Sequence, residues 1–372
     1  MKVTIERAAL LKALSHVQSV VERRNTIPII SNVLIEAKDG KLALSATDMD
    51  LAMREEVAAE VSKPVATTTS AHTLYDIVRK LPEGAQVQME LTAGNAQMVL
   101  RAGRARFSLS CLPIEDFPVM SAGDLPFEFS LEASAFRDLI DRTRFAISTE
   151  ETRYYLNGIY LHAAKSGKVD MLRAVATDGH RLARFEMPLP DGAKGMPGVI
   201  VPRKAVSEIR KLVDESSDAV KVSLSETRVR LAFDGVVLTS KLIDGTFPDY
   251  ERVIPLGNNK ELVVDKAEFE AAVDRVSTVS SERGRAVKLA LTAGKLTLSV
   301  TNPDSGSATE ELEVEYESDP LDIGFNSRYL LDIAAQIEGE TAVLRLADPG
   351  SPTLIQDRES KGALYVLMPM RV

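Results

Sequence analysis

Cysteine, tryptophan and histidine are scarce in this sequence of 372 residues, which has one cysteine, no tryptophan and four histidines. The single Cys111 excludes a disulfide within the chain and suits a reducing compartment. The histidines are too scattered to give the ligand spacing of a zinc site. Aromatic residues make up 5% of the chain, too few for the base-stacking surfaces of proteins that bind single strands. The sequence therefore predicts neither a metal nor another cofactor.

Membrane spans and secretion signals are also missing. No apolar run reaches the ~18 residues that a spanning helix needs, and the N-terminal MKVTIERAALLKAL has no signal-peptide core. We expect a cytoplasmic protein without a membrane partner. The length predicts two or three domains. A net charge of −9, taken alone, disfavours nucleic-acid binding.

Three segments begin alike: VTIERAALLKALSHVQSVV, FSLEASAFRDLIDRTRFAI and LVVDKAEFEAAVDRVSTVS. Each predicts a short strand, a helix with apolar residues at helical spacing, and then a strand hairpin with a glycine-containing turn. In the first segment the apolar stripe is Leu10, Leu11, Leu14, Val17 and Val21. A second strand–helix–strand pattern follows in each. We therefore expect an α+β protein of three repeated domains (1–125, 126–255 and 256–372), each with two helices packed on antiparallel sheets, giving six small sheets in all. The predicted helices are 6–24, 71–81, 132–145, 203–214, 265–276 and 327–338.

Six motifs spread over all three predicted domains carry a family resemblance: TIPIISNVLIEA, RYYLNGIYL, ATDGHRLA, VIVPRKAVSEI, SKLIDGTFPDYERVIP and YVLMPMRV. In these the chain resembles the bacterial DNA polymerase III beta subunits, the replication sliding clamps. The resemblance implies the DNA-clamp fold and a head-to-tail ring of two chains around duplex DNA. It implies a non-catalytic processivity role, with a clamp loader, replicative and other DNA polymerases, and repair proteins bearing short peptide motifs as partners.

A ring of twelve helices is geometrically able to hold a duplex. Helices ~9–10 Å apart give a circumference of ~110–120 Å, which leaves a hole of roughly 25–30 Å inside the helix radius. The predicted helices carry a summed charge of +2, which leaves −11 for the rest of the chain. Such helices would attract phosphate weakly and without sequence preference. The candidate DNA-contacting residues are Arg24, Arg79, Lys80, Arg137, Arg203, Arg210 and Lys211, and the resemblance adds Tyr154.

Two charged segments are predicted to be edge strands of opposite sign. RAGRARFSLS (101–110) places Arg104 and Arg106 at alternate positions, and TEELEVEYES (309–318) places glutamates at positions 311, 313, 315 and 317. Ordinary edges protected by charge against aggregation would look the same. The resemblance implies instead that the two edges pair between subunits, where opposite charges would fix the register. The predicted interface residues are Ile77, Leu81, Arg104, Arg106, Phe107, Glu310, Glu311 and Glu313.

The segment AVATDGHRLARF (174–185) places Asp178 and His180 beside two arginines. Asp178-Gly179 between alternating strands is a hairpin signal. Catalysis would also need a nucleophile, an orienting partner and a cleft, and the sequence has no GxSxG, HExxH or P-loop motif. An enzyme that uses Asp178 and His180 is one alternative to a clamp, and a monomeric peptide-binding scaffold is another. A sequence-specific DNA reader is disfavoured because no recognition-helix motif occurs.

The resemblance assigns TDGHRL to a surface pocket for partner peptides, between predicted domains 2 and 3. Leucine, valine, proline and methionine would form an adaptable apolar surface, with arginine and histidine as donors on the rim. Two features depart from the family pattern: Glu251, where a basic residue often stands, and Ser351-Pro352. The predicted pocket residues are Arg153, Tyr155, Leu156, Thr177, Gly179, His180, Arg181, Leu182, Pro248, Arg252, Val253, Val366, Met368, Pro369, Met370 and Arg371.

Overall fold

A computed structural model describes residues 2–92, 94, 96–121, 123–216, 219–281, 285–360 and 362–372. The chain forms two compact units. Unit 1 is Met1–Arg137, Pro190–Pro197 and Lys204–Leu242, and unit 2 is Asp138–Leu189, Gly198–Arg203 and Ile243–Val372. Among the described helices, none has the length and apolar character to cross a membrane.

Helices and strands alternate along the chain. The helices are α1 (Arg7–Gln18), α2 (Ala71–Lys80), α3 (Ala133–Asp141), α4 (Arg203–Glu215), α5 (Lys266–Ser277) and α6 (Ser327–Ala334). The first strands are β1 (Lys2–Glu6), β2 (Asn32–Lys38), β3 (Lys41–Thr47), β4 (Leu51–Ala58), β5 (Glu60–Lys63), β6 (Val65–Ser70), β7 (Gln86–Leu91), β8 (Gln97–Ala102), β9 (Ala105–Leu112), β10 (Phe127–Glu132), β11 (Gly158–Ser166), β12 (Val169–Thr177) and β13 (Arg181–Pro188). The remaining strands are β14 (Val199–Pro202), β15 (Ala219–Leu224), β16 (Arg228–Phe233), β17 (Val236–Lys241), β18 (Lys260–Asp265), β19 (Ala286–Thr292), β20 (Lys295–Asn302), β21 (Gly306–Glu313), β22 (Glu315–Tyr316), β23 (Leu321–Asn326), β24 (Thr341–Leu346), β25 (Thr353–Asp357) and β26 (Ala363–Leu367).

The prediction of six small sheets is wrong for the described residues, whose named strands form three. Unit 1 holds a 13-stranded sheet in the order β10-β15-β16-β17-β4-β3-β2-β6-β9-β8-β7-β1-β5. Unit 2 holds a nine-stranded sheet, β14-β11-β12-β13-β26-β25-β24-β18-β22, and a four-stranded sheet, β21-β20-β19-β23. The sheets are larger than predicted because strands of different repeats pair, β17 with β4 and β13 with β26. The α+β prediction is confirmed.

Helix α1 ends six residues before its predicted end at residue 24. Its N-terminus is capped by Glu6, whose carboxylate accepts hydrogen bonds from the amides of Ala8 and Ala9. Beyond Gln18 the backbone tightens to three-residue hydrogen bonds, such as Val20 N to Val17 O at 3.4 Å. Helices α3 and α6 likewise end four residues before the predicted 145 and 338. Apolar periodicity continues past each true end, so the sequence pattern overestimates helix length.

The core of unit 1 contains the apolar stripe predicted for α1. Leu10, Leu14 and Val17 are fully buried, and Val21 beyond the helix is 4% exposed. Leu11 departs from the prediction because it is only half-buried. Burial of this stripe stabilises the helix far more than its intrinsic propensity does.

His16 lies in a buried charge cluster of unit 1. Its Nδ1 is 2.7 Å from Glu55 Oε2, and its Nε2 is 3.2 Å from Glu215 Oε2. His16 and Glu55 are 8% and 5% exposed, and Lys12 Nζ lies 3.7 Å from Glu215 Oε2. Burial opposes protonation of the ring, but the hydrogen bonds and charges of the two glutamates outweigh it. They raise the pKa of His16 above its ordinary value of 6.5.

We expect the stability of unit 1 to fall as the pH rises through the raised pKa of His16. The protonated ring stabilises the fold fully below its ordinary pKa of 6.5, and this contribution is lost as the folded state deprotonates. The measurement is urea unfolding of the wild type and of His16→Gln from about pH 5.5 to about pH 8.5. The stability difference between the two proteins should shrink across this range, and a constant difference would contradict the prediction.

Candidate functional site

The TDGHRL segment of unit 2 is a turn fixed by its own side chains. Asp178 Oδ1 accepts hydrogen bonds from the amides of His180 and Arg181 at 2.9 and 3.0 Å. Thr177 Oγ1 donates to Arg181 O at 2.7 Å and accepts from Gly179 N at 3.1 Å. Gly179 has a φ of +88°, a conformation that favours glycine. The interpretation of Asp178 as a turn residue is confirmed, because its carboxylate holds the turn together.

Arg181 is a buried structural residue, so the expectation that it supplies a free donor on the rim is wrong. Its side chain is 9% exposed. Nε donates to Asp178 Oδ2 at 3.0 Å, Nη2 donates to Phe145 O at 2.6 Å, and Nη1 donates to Asp332. The guanidinium also lies 4.2 Å from the centre of the Tyr329 ring. Arg181 therefore fixes the turn to the elements beneath it.

The predicted pocket residues come together around an apolar cluster of unit 2. Leu156, Leu182 and Val366 are 5%, 3% and 2% exposed and belong to one buried cluster with Phe247 and Tyr250. Strand β26 pairs with β13, so that residues 182 and 366 are opposite each other. This cluster supports the rim but is itself closed to solvent. Tyr155 packs against it as a half-buried residue.

The exposed predicted residues surround this cluster. Val253 is 49% and Met368 42% exposed, and both offer apolar surface. Arg153 and Arg252 each form an ion pair with a neighbouring carboxylate, Arg153 Nε with Glu150 Oε2 at 3.2 Å and Arg252 Nε with Asp249 Oδ2 at 2.6 Å. Pro248, Gly179, His180 and Arg371 are exposed, whereas Thr177, Pro369 and Met370 are half-buried.

A buried arginine that the sequence analysis missed holds the short 3₁₀ helix Tyr250–Val253. Arg173 lies in β12 with a side chain 7% exposed. Its Nη1 donates to Tyr250 OH at 3.2 Å and to Glu251 Oε1 at 2.5 Å, and its Nε donates to Glu186 Oε2 at 2.6 Å. Burial opposes the charge of Arg173, but these hydrogen bonds outweigh it and raise its pKa. Burial of His162 lowers the pKa of its own ring, whose Nε2 is 3.0 Å from Tyr250 OH.

The two departures from the family pattern have local structural partners. The Glu251 carboxylate accepts a hydrogen bond from Arg173 Nη1. Ser351 Oγ donates to Asp348 Oδ2 at 2.7 Å, and Pro352 O accepts from Asn258 Nδ2 at 2.8 Å. No sequence signal would have found Arg173, because an arginine in a strand is more often exposed than buried.

The C-terminal residues are held at two points of unit 2. Met368 N donates to His180 O at 2.9 Å, and Met370 N donates to Gly324 O at 2.9 Å. A Cβ added to Gly324 would lie 2.6 Å from Met370 O and would collide with the Val372 side chain. Gly324 therefore allows the tail to pack closely against β23.

We expect Gly324→Ala to displace the tail and to weaken peptide binding at the pocket by about tenfold, or about 1.4 kcal/mol. The added methyl group pushes Met370 and hence Met368 out of place. The measurement is fluorescence anisotropy with a labelled short apolar peptide of the kind that the predicted pocket would bind. Gly257→Ala is the matched control, since no atom lies within 4 Å of its added Cβ. Equal affinities for the two variants would contradict this role.

The first predicted edge strand is in fact a hairpin of unit 1. Residues 101–110 span the end of β8, a turn at Gly103-Arg104 and most of β9. Arg106 and Phe107 pair with β8 on one side, and the described pairing of β9 with β6 is confined to Leu112 and Cys111. The first part of β9 is thus an open edge. Ile77 is half-buried, but Leu81 is 7% exposed and belongs to the core, so it offers no free apolar surface.

The second predicted edge strand is divided after Glu313. Strand β21 is an outer strand of the four-stranded sheet, with Glu311 and Glu313 exposed. Glu310 lies on the opposite face, where its hydrogen bond to Arg275 lowers its pKa. Glu315 belongs to β22, which pairs with β18 in the other sheet of unit 2. The prediction that residues 309–318 form one strand carrying all four glutamates is therefore wrong.

Most of the predicted DNA-contacting cations have acidic partners. Arg79 Nη2 is 3.1 Å from Asp76 Oδ1, and Lys211 Nζ is 2.8 Å from Glu208 Oε1. Asp214 Oδ1 lies 3.1 Å from Arg210 Nη1 and 3.7 Å from Arg137 Nε. With the observed bounds, the six helices still carry a summed charge of +2. The exposed candidates are Arg24, Arg79, Lys80, Arg203, Lys211 and Tyr154, whereas Arg137 and Arg210 are half-buried.

Comparisons with known proteins match the chain from end to end. Three family profiles of the DNA polymerase III beta subunit match it: the N-terminal domain over residues 1–121, the central domain over 130–249 and the C-terminal domain over 251–371. The beta sliding clamp of Caulobacter vibrioides is 55% identical over 372 residues, and that of Escherichia coli K12 is 38% identical over 375, each covering 100% of both chains. The Bartonella birtlesii sliding clamp bound to griselimycin has a TM-score of 0.97 at 52% identity, covering 100% of both chains. The Caulobacter crescentus beta sliding clamp, solved with PEG bound to its proposed beta-motif tethering region, has a TM-score of 0.98 at 55% identity and covers 100% of this chain and 99% of its own.

Proposed function

The chain belongs to the family of DNA polymerase III beta subunits, the beta sliding clamps, and we propose that two copies close into a ring that slides on duplex DNA. The family is that of a non-catalytic processivity factor in DNA replication, so an enzyme based on Asp178 and His180 is excluded. One observation carries the proposal: all three family domains align in order over the whole chain. The proposed domains are 1–125, 126–255 and 256–372. The proposed location of the protein is the cytoplasm.

The ring would close by pairing the open edge of β9 in one subunit with that of β21 in the other. Arg104 and Arg106 would meet Glu311 and Glu313, which are exposed, and the charges would fix the register. A head-to-tail contact joins two different surfaces, as this pair does. Phe107 and Ile77 would add apolar contact from their half-buried side chains.

We expect Arg106→Glu to weaken dimerisation by at least about tenfold. The change places like charges across the proposed edge, and the second change Glu313→Arg should restore part of the affinity. Analytical ultracentrifugation measures the monomer–dimer equilibrium. Lys63→Glu, an exposed cation on β5, is the control for net charge. A monomeric wild type would favour the peptide-binding scaffold instead.

Duplex DNA would pass through the ring without sequence-specific contacts. Sliding requires weak phosphate binding, and a summed helix charge of +2 suits weak attraction better than tight binding. This sum already includes the acidic partners of Arg79, Arg210 and Lys211, which keep the attraction weak. A closed ring cannot thread onto circular DNA, so the proposal also requires an ATP-driven clamp loader.

Partner proteins would bind the pocket around Leu182 and Val366 by short peptide segments. The apolar surface of Val253 and Met368 and the cations Arg153 and Arg252 would contact the peptide. The relative solved with griselimycin and the one solved with PEG in a beta-motif tethering region support a ligand site of this kind. The proposed occupants are segments of the replicative polymerase, of other DNA polymerases and of repair proteins.

Retention on circular DNA tests the proposal. The protein is loaded onto nicked circular DNA with the clamp loader and ATP, and the circle is then cut once before gel filtration. Retention on the circle and loss after linearisation would support an encircling ring. Equal retention on both forms would show direct contact binding, and the clamp proposal would fail.

A further inference from the structure

Unit 1 contains a turn built like the TDGHRL turn of unit 2. In unit 1, Asp48 Oδ1 accepts hydrogen bonds from the amides of Asp50 and Leu51 at 2.9 and 2.7 Å. Thr47 Oγ1 donates to Leu51 O at 2.9 Å and accepts from Met49 N at 3.0 Å. These bonds have the same donors and acceptors, position by position, as those of residues 177–181. The two turns are therefore equivalent parts of the repeat.

The strands and the loop beside this turn are equivalent too. Strand β4 leaves the turn of unit 1 and pairs with β17, as β13 leaves the turn of unit 2 and pairs with β26. A Phe-Pro pair lies beside each junction, Phe117-Pro118 in unit 1 and Phe247-Pro248 in unit 2. Both phenylalanines are 8% exposed. Unit 1 thus repeats the framework on which unit 2 builds the proposed peptide pocket.

A cavity of about 430 Å³ lies at this junction in unit 1. This volume falls within the usual range of ligand sites. The wall is mostly apolar and includes the fully or partly buried Ala52, Met53 and Val237. Met120 completes it, and Val119 at its edge is 83% exposed. An extended peptide with apolar side chains suits such a wall.

The charged groups of this cavity favour an acidic residue in the peptide. Arg54 donates to Glu36 and lies 3.2 Å from Glu56 Oε1, so its charge is balanced within the unit. Arg230 also lines the cavity and is exposed. The nearby Glu128 is paired with Lys221, Nζ to Oε1 at 2.7 Å, and the charge of Arg230 helps to lower the pKa of the Glu128 carboxyl only as the last of several causes. A carboxylate bound at Arg230 would therefore gain a charge-assisted hydrogen bond without breaking the Lys221–Glu128 pair.

We propose that this cavity of unit 1 is a second peptide-binding site, which takes an extended segment of a partner protein with an acidic residue beside leucine or phenylalanine. The inference extends the proposed peptide binding of unit 2 to an equivalent position in the repeat. It gives each chain two sites with different rims. Arg230 and the ion-paired Arg54 are the arginines of this cavity, whereas the unit 2 pocket has the exposed Arg153 and Arg252.

Methionine methyl groups can report on the two sites separately. Met53 and Met120 line the cavity, whereas Met368 and Met370 belong to the proposed pocket of unit 2. The test is a titration of the full-length protein, labelled with ¹³C at its methionine methyls, with the capped tetrapeptide Asp-Leu-Leu-Phe. We expect saturable shifts at both pairs of methyls. Ala52→Phe, which fills the cavity, and Arg230→Glu, which only reverses an exposed charge, should each weaken binding at Met53 and Met120 at least tenfold.

Each outcome decides the inference. Shifts at Met368 and Met370 alone would overturn the second site and leave the proposed pocket standing. Shifts at Met53 and Met120 that neither variant reduces would also overturn it. Absence of shifts at all four methyls would count against both sites. Lys63→Glu, at an exposed residue outside the cavity, is the control for Arg230→Glu and should leave all four shifts unchanged.

Discussion

Arg181→Ala is expected to lower the free energy of unfolding by about 3 kcal/mol and to abolish measurable peptide binding at the proposed pocket of unit 2. Loss of the guanidinium leaves Asp178 and Asp332 without their cation, and the side chains of these residues are 16% and 32% exposed. Removing one partner of a buried ion pair typically costs about 3–5 kcal/mol. We place the effect at the lower end because Asp332 is partly solvated. Urea unfolding and fluorescence anisotropy measure the two effects.

The control for Arg181 is Arg153→Ala, on the rim of the same pocket. The Arg153 side chain is 46% exposed and pairs with a carboxylate that is 51% exposed. Such surface pairs contribute about 0–1 kcal/mol, so this variant should unfold like the wild type while binding peptide more weakly. Arg181→Lys should fall between the two, because lysine keeps the charge but loses the planar fork. An unfolding curve of Arg181→Ala that overlays the wild type would contradict the buried role.

Local sequence patterns predicted the helices better than the sheets. Helices α2 and α5 lie within one residue of their predicted bounds, since an apolar stripe is a property of the segment itself. The joining of β4 to β17 and of β13 to β26 depends on which edges meet after folding. The hydrophobic alternation of a strand does not specify which other strand it pairs with. The sequence therefore identified most of the strands but not the continuous sheets they form.

The residues of the proposed pocket were predicted from motifs, but the buried ion pairs that hold them in place were not. Asp178-Gly179 was interpreted as a turn because the chemistry of a turn is local. Arg181 was assigned to the rim of the pocket by the family resemblance, whereas its donors are taken up by Asp178, Asp332 and the Phe145 carbonyl. Arg173 was missed altogether. Both errors concern long-range partners, which a single sequence does not reveal.

Arg173→Ala is expected to destabilise the protein by about 3–5 kcal/mol and to weaken peptide binding. The change removes the 2.6 Å ion pair of Glu186, whose side chain is 10% exposed, and leaves it only the longer contact of 3.7 Å with Arg184. It also removes the donor to the buried Tyr250 hydroxyl. Glu251→Ala removes a carboxylate that is 62% exposed, so its effect on stability should stay within about 1 kcal/mol. Both variants release the 3₁₀ helix that presents Arg252 and Val253.

Substitution of Glu251 should therefore lower peptide affinity with little change in stability, whereas substitution of Arg173 should lower both. We expect Glu251→Ala to bind the polymerase peptide several-fold more weakly with nearly unchanged urea unfolding, and Glu251→Arg to bind more weakly still. The arginine would replace the anion that Arg173 now contacts by a second cation, and the buried Arg173 guanidinium, 7% exposed, would be disfavoured by the like charge. Glu261→Ala, whose side chain is 54% exposed in an ion pair, is the matched control. If Glu251→Arg bound peptide as tightly as the wild type, the ion pair with Arg173 would have no part in shaping the pocket, and the departure from the family pattern would be neutral.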